Sequence, residues 1–479
     1  MSQRFSRRKF LTSAAVAAGA AAGARLFPAP AILADASPNS KINTVVIGAV
    51  NQGKPAVAAA SYERLVALCD IDDKHLAMAK KFINEQRPEV KTSGVQEFFD
   101  YRQMFDKIHK DIDAVFIAAP DHHHAPASLM SMKLGKHVYC EKPLAHSVGE
   151  IRMMMETARK YKVMTQLGNQ GHSSEYIRLL CEYIDAGAIG DVIETYSWAP
   201  TGRGGTGGRL PTLPVPAGVH WDEWIGPMPF REYHDELHPL QWRSWWQFGD
   251  GSVGDWGCHN LDGPFMALKL GSPTSVQAVE QFGGSDERFP LRNSIRWDFP
   301  ARDKLPPVKV FWYDGYFGAT SSVAHDEAAN LKQNRPPIVD ELEKKYSREL
   351  KNGGTIYVGT KGIMHTGNYA ANPRIIPEEK MKEFPMPAKT LPRVGKPPKG
   401  SGLGTHQYDF LRACRDGKPA SSNFDYGGPL SEVVLLGCLA ERAGVGKVVQ
   451  WDGAKAEVTN LPELNKLVRR EYRPGWGME

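Results

Sequence analysis

Net charge, cysteine and long apolar runs are all scarce in this sequence. The formal net charge is +5, and residues 1–36 hold +4 of it through Arg4, Arg7, Arg8, Lys9 and Arg25 against Asp35. The near-neutral remainder offers no electrostatic footprint for nucleic acid. No stretch beyond residue 36 approaches the roughly 20 apolar residues that a membrane span needs. There are six cysteines, Cys69, Cys140, Cys181, Cys258, Cys414 and Cys438, and no two stand at close, metal-like spacing. Cys69 and Cys140 fall in apolar, strand-like runs, where a thiol behaves as a small hydrophobe. Buried free thiols are expected, with a disulfide left open in an oxidising compartment. There is no internal repeat. What is present, 42% hydrophobic and 24% charged residues over 479 positions, is the composition of a globular chain of two or more domains.

The N-terminus reads as a targeting signal. Ser6-Arg7-Arg8-Lys9-Phe10-Leu11 is a twin-arginine pattern, and a mildly apolar run follows from Leu11 to Ala24. That run is short and weakly hydrophobic for a membrane span. Ala34-Asp35-Ala36 fits a small-x-small cleavage site that leaves Ser37 first. The expectation is a removed leader over 1–36, export in the folded state to the periplasm, and no membrane anchor after cleavage. The other reading is a disordered basic leader on a cytoplasmic protein. A protein exported already folded is able to carry a cofactor out with it.

From residue 42 the chain alternates strands and helices. Apolar strands are expected at 42–47, 65–70, 114–120, 137–140 and 163–167, and helices at 54–62, 75–85, 125–134 and 148–161. Apolar strands alternating with helices imply a parallel, doubly wound sheet over 37–168. Beyond it, a helix at 175–186, a Gly-, Pro- and Trp-rich stretch at 200–250, and aromatic strands such as 308–313 suggest an α+β domain with an open, mostly antiparallel sheet over 169–479. Residues 380–404 read as an extended surface loop, and helices are expected at 406–415 and 430–444.

The first strand runs into Gly48-Ala49-Val50-Asn51-Gln52-Gly53. A dinucleotide fingerprint wants glycine at its first, third and sixth positions. Gly48 and Gly53 comply, and Val50 does not. Alone, the loop reads equally as a cofactor cradle or as an ordinary strand-to-helix turn. Asp70 ends the second strand, where an acid hydrogen-bonds the ribose hydroxyls and favours NAD over NADP. It equally suits a helix N-cap.

Glu141-Lys142-Pro143 follows the fourth strand, at the sheet end that faces a ligand crevice. Lys142 there either reaches a substrate oxygen or is a solvated surface residue. In Gly254-Asp255-Trp256-Gly257-Cys258-His259, Asp255 and His259 stand four apart and share a helix face. The pair suits general-base removal of an alcohol proton, or a structural contact. Trp221, Trp224, Trp242, Trp245 and Trp246 surround Arg243 in sequence. Aromatic faces stack on sugar rings and Arg supplies hydroxyl donors, although hydrophobic packing explains many such residues. The run Asp121-His122-His123-His124 has no Cys-x-x-Cys partner and converges poorly on one ion, so no metal is expected.

This combination resembles the glucose–fructose oxidoreductase/inositol dehydrogenase (Gfo/Idh/MocA) family. The resemblance rests on Glu141-Lys142-Pro143, on Gln166-Leu167-Gly168-Asn169-Gln170-Gly171, and on Asp255 with His259. Trp312-Tyr313-Asp314-Gly315 and Tyr472-Arg473-Pro474-Gly475-Trp476 are similar too. It implies a Rossmann domain followed by an α+β domain whose open sheet forms a homo-oligomer interface. Lys142, Asp255 and His259 become the catalytic set. The cofactor, NAD rather than NADP, is expected on Gly48, Val50, Asn51, Gln52, Gly53, Asp70, Pro120, His124, Glu141, Lys142 and Asn169. A sugar or polyol is expected against Lys142, Arg243, Trp245, Asp255 and His259. On this reading His259 removes the hydroxyl proton, Lys142 stabilises the alkoxide, and hydride passes to the nicotinamide of a retained cofactor. Two alternatives stand beside it. One is a redox-neutral NAD-dependent glycosidase, whose members carry a Tyr near the catalytic His. The other is a non-catalytic sugar-binding protein, suggested by Val50.

Overall fold

The computed structural model describes residues 41–323 and 330–477, so the leader and its cleavage site lie outside the described residues. Six strands form the first sheet: β1 (Asn43–Ile47), β2 (Arg64–Cys69), β3 (Gln96–Phe98), β4 (Ala114–Ile117), β5 (His137–Glu141) and β6 (Thr165–Gly168). Their order is β3-β2-β1-β4-β5-β6, and every pairing is parallel. The strands are apolar on both faces because helices cover both: Val45, Val46 and Ile47 are all buried, as are Val115, Phe116 and Ile117. Strand order reverses between β1 and β4, which opens a crevice at the carboxyl ends of the strands.

Two elements were not expected. β3 is a three-residue edge strand, Gln-Glu-Phe, too short and polar to stand out as an apolar run. The Tyr101–Ile108 helix buries Tyr101, Met104, Phe105 and Ile108, a helical spacing that the sequence does carry.

The second sheet has nine strands in the order β13-β12-β11-β7-β10-β9-β8-β14-β15. They are β7 (Val192–Trp198), β8 (Ser275–Phe282), β9 (Arg292–Phe299), β10 (Val308–Gly315), β11 (Gly354–Gly359), β12 (Ile363–Gly367), β13 (Arg374–Ile376), β14 (Val448–Asp452) and β15 (Glu457–Val458). Only β7 and β10 pair in parallel, so the sheet is mixed and mostly antiparallel.

The chain returns to the first domain near its end. The Thr405–Asp416 helix sets Phe410 edge-on against Phe116, 5.2 Å between centroids. The Phe424–Ala443 helix begins well before the expected residue 430 and passes through Pro429. Asn423 caps it, accepting from the Asp425 N–H at 2.9 Å, and a proline this close to a helix start disturbs few backbone bonds. One hydrophobic core joins Val45 and Leu167 of the first domain to Trp297 and Val434 of the second. A short helix, Lys380–Glu383, interrupts the otherwise irregular 380–404 stretch. All six cysteines are free, five of them buried and Cys414 half-buried. Among the described residues no helix is long and apolar enough to cross a membrane.

Candidate active site

A cleft opens at the carboxyl ends of β1, β2 and β4. Gly48, Val50, Asn51, Gln52, Asp70 and Pro120 line it. Gly48 sits at φ +83°, and a Cβ there would lie 2.5 Å from the Ala118 carbonyl oxygen, so only glycine fits. A Cβ on Gly53 would collide with the Gly48 carbonyl, so that glycine serves helix-to-strand packing rather than the cleft wall. Val50 is ordinary extended backbone, φ −124° and ψ 178°, which needs no glycine.

Asp70 clasps this loop. Its Oδ2 accepts from the Ala49 N–H at 2.8 Å, and its Oδ1 lies 3.1 Å from His75 Nδ1. The helix N-cap belongs instead to Asp72, which accepts from the Lys74 N–H at 2.9 Å. Asp72, His75 and His238 bring ligand atoms within 4.8 Å of one another, with His238 Nε2 at 3.3 Å from Asp72 Oδ2. The glycine turn and the acid ending β2 together fit an adenine dinucleotide.

The far side of the cleft comes from the second domain. Trp224, His238, Pro239, Leu240, Trp242, Arg243 and the C-terminal Trp476 close over it. Gln52 and Arg243 connect this cleft to the expected chemical centre. Gln52 Nε2 donates to Glu141 Oε2 at 3.5 Å, and Arg243 Nε lies 3.4 Å from Asp255 Oδ1.

Lys142 leaves the end of β5, and Asp255 and His259 stand on the Gly251–Asn260 helix. Lys142 Nζ donates to Asp255 Oδ1 at 2.8 Å and to the Asp255 carbonyl at 2.6 Å. Burial alone would raise the Asp255 carboxyl, but Lys142, Arg243 and Arg203 outweigh it and hold the group well below the usual range. Burial and the Lys142 charge push His259 down to about 3, so its imidazole is neutral at pH 7. Its Nδ1 is buried with no hydrogen-bond partner. A neutral imidazole beside a lysine held by a carboxylate is able to take a hydroxyl proton while the ammonium stabilises the oxygen left behind. Burial pushes Glu141 up to about 7, where its oxygens accept from Gln170 (2.9 Å) and Tyr139 (3.2 Å).

Three expected site residues stand elsewhere. Trp245 is fully buried between the Arg231 and Arg288 guanidiniums, 4.5 and 4.4 Å from its ring centroid, and packs with Trp221, Trp224 and Trp242. It offers no face to a sugar. His124 spends its nitrogens on backbone carbonyls, Nδ1 at 2.7 Å from Pro143 and Nε2 at 2.9 Å from Ala119. It braces the Lys142 turn from behind and does not line the cleft. Asn169 is completely buried, donating to Asp262 at 3.1 Å and accepting from Ser422 at 2.7 Å. Its polar atoms are spent on packing. His122 and His123 likewise meet the Trp224 carbonyl, each at 2.8 Å.

Two residues with no sequence signal join the centre. Arg203 Nε donates to Asp255 Oδ2 at 3.3 Å. Tyr369 faces His259, ring centroids 4.8 Å apart. It sits at φ +61°, held by its N–H on Asn260 Oδ1 at 3.1 Å, a left-handed conformation unusual for a bulky side chain.

Residues 42–169 match the model of the oxidoreductase family, NAD-binding Rossmann fold, and residues 191–281 match that family's C-terminal alpha/beta domain. A levoglucosan dehydrogenase of Pseudarthrobacter phenanthrenivorans is 26% identical over 221 residues, 43% of this chain and 49% of that protein. The chain spans about half the length of the curated relatives it matches. Among solved structures, the WlbA dehydrogenase from Bordetella pertussis in complex with NADH and UDP-GlcNAcA superposes with a TM-score of 0.54 at 15% identity, over 86% of this chain and 99% of that one. A levoglucosan dehydrogenase in complex with NADH and L-sorbose gives 0.52 at 17% identity, over 85% and 98%. These structural likenesses establish the fold. In order along the chain, residues 42–169 and 191–281 are thus similar to the NAD-binding Rossmann domain and the C-terminal α/β domain of the Gfo/Idh/MocA oxidoreductase family.

Proposed function

We propose that this protein is an exported oxidoreductase acting on a hydroxyl carbon of a sugar, polyol or related compound, with NAD tightly retained. One observation carries the reading: a lysine–aspartate pair and a neutral histidine lie at the same sheet end as the cleft that the Gly48–Gly53 loop and Asp70 line. NAD, when bound, supplies the hydride acceptor. His259 takes the hydroxyl proton. Lys142 has an N–H left after its two bonds to Asp255 and directs it at the substrate oxygen. Asp255 orients Lys142. Asp70 suits a ribose over a 2′-phosphate, which favours NAD. The roof of His238, Pro239, Leu240, Trp242 and Trp476 supports slow cofactor release. The levoglucosan dehydrogenase relative supports a carbohydrate substrate. The twin-arginine leader supports export to the periplasm, and exposed Ile193, Val279, Phe282 and Val448 on β7, β8 and β14 support a homo-oligomer built on the second sheet.

Denaturing the purified protein and assaying the supernatant for dinucleotide by absorbance and mass tests the reading. Near-stoichiometric NAD(H) is expected. An empty protein that fails to bind added NAD contradicts it and favours a non-catalytic sugar-binding role.

Tyr369 beside His259 favours one second reading, a redox-neutral glycosidase. Curated relatives named glycosyl hydrolase family 109 proteins, 29% identical over 124 residues, add to it. That activity releases a chromogenic aglycone from an aryl glycoside with no net reduced dinucleotide.

A further inference from the structure

Asp255 is surrounded by more positive charge than it balances. Lys142 Nζ lies 2.8 Å and Arg243 Nε 3.4 Å from Oδ1, and Arg203 Nε lies 3.3 Å from Oδ2. All three cations are largely withdrawn from solvent, their side chains 8%, 17% and 15% exposed. The other ionisable groups of the centre do not restore neutrality. His259 is uncharged at pH 7. Asp121 and Glu141 are both pushed up to about 7 by burial, so each carries only part of a charge there. Burial, and then the neighbouring Asp121, push the Asp250 carboxyl well above the usual range. Among the described residues, three cations therefore converge on the single carboxylate of Asp255.

Partly buried guanidiniums without full compensation are costly unless a ligand completes them. Arg203 is also firmly placed. Its N–H donates to Ser252 Oγ at 2.7 Å, and a Cβ on the adjacent Gly204 would run into the Pro290 carbonyl. Arg243 has its plane fixed over Trp242, 4.2 Å from the ring centroid. Each meets Asp255 through Nε, and a planar guanidinium held in this way suits carboxylate or phosphate oxygens. Arg243 also lines the dinucleotide cleft, whereas Arg203 does not. Of the two guanidiniums, Arg203 is the one that stands off the cofactor cleft, bonded to Asp255 Oδ2.

We propose that the substrate is an anionic sugar, carrying a carboxylate or a phosphate, whose charge is received by Arg203 with help from Arg243. The inference deepens the oxidoreductase reading and rests on it for the identity of the site. Tryptophan-fluorescence titration of the full chain as purified tests it. The probes are glucose, glucuronate and glucose 6-phosphate, and the same three forms of galactose. At least one anionic form binds about tenfold or more tighter than its neutral parent, the worth of one charge-assisted pair. Arg203→Gln abolishes that preference, and Arg203→Lys keeps part of it. Which anionic form gains separates carboxylate from phosphate. A neutral parent that matches its anionic forms overturns the inference. So does a preference untouched by Arg203→Gln, or no anion binding at all. Dinucleotide content of the same preparation keeps the two claims apart. NAD present without an anion preference sinks this inference alone, and an anion preference without NAD sinks the oxidoreductase reading alone.

Discussion

The Gly48–Gly53 loop and the Lys142–Asp255–His259 centre both lie at the carboxyl ends of the first sheet, yet they are built from different materials. The loop is a backbone device. It depends on φ +83° at Gly48, on packing that excludes a Cβ at Gly53, and on an N–H clasped by Asp70. Side-chain identity matters little at its third position, where Val50 is simply extended. The centre is a side-chain device. It depends on one carboxylate gathering three cations from separate segments. A fingerprint departure in the loop therefore says less about function than an intact charge set in the centre.

The sharpest way to divide the two regions is His259→Asn. It is expected to cut turnover by about 10²–10⁴-fold, the range for a lost acid–base group, while dinucleotide content holds. Lys142→Met follows, with a loss of about 10²–10³-fold in turnover and again an unchanged cofactor signal. Loss of cofactor in either variant would break the division. Gly48→Ala acts on the other region. Forcing a side chain into φ +83° against the Ala118 carbonyl is expected to cost about 1–3 kcal/mol and to lower the melting temperature and NAD content together. An unchanged NAD content there would show that the loop does not hold the dinucleotide.

Glu141 joins the regions, since Gln52 reaches it from the loop and Lys142 follows it in the chain. Burial in the folded protein pushes the Glu141 carboxyl up to about 7, from an ordinary value of 4.5. Its contribution to stability is complete below the unfolded value and is lost as pH rises through about 7. Glu141→Gln is permanently neutral, so its melting temperature relative to wild type is expected to improve between pH 5 and pH 8, by roughly 1–3 °C. A constant difference would contradict the burial of that proton. Val50→Gly has the smallest effect expected. Dinucleotide affinity stays within a few-fold, and stability falls by about 0.5–1 kcal/mol from backbone entropy. A large gain in affinity would mean that Val50 does obstruct the cleft.

The first domain was legible because its apolar strands announce themselves, and two of its helices, Lys54–Tyr62 and Val148–Tyr161, begin and end where the pattern places them. The shared helix of Asp255 and His259 was legible from their spacing, and the place of Lys142 at the end of β5 from its motif context. Trp245 was misread because a tryptophan between arginines looks the same in sequence whether it faces a ligand or is sandwiched inside a core. His124 and Asn169 were misread because proximity in the chain to a site says nothing about which way a polar group is spent. Arg203 and Tyr369 left no trace at all. Each sits far along the chain from Asp255 and His259, and only the pairing of the second sheet and the Asn260 clamp bring them in.

The most direct test of the account is the near-ultraviolet absorbance of reduced nicotinamide in the protein as purified, followed on mixing with a panel of neutral and anionic sugars. A sugar-dependent change in wild type that is abolished in His259→Asn, with cofactor still bound, is the predicted result. A cofactor-loaded wild type whose nicotinamide signal no sugar or polyol alters would contradict it.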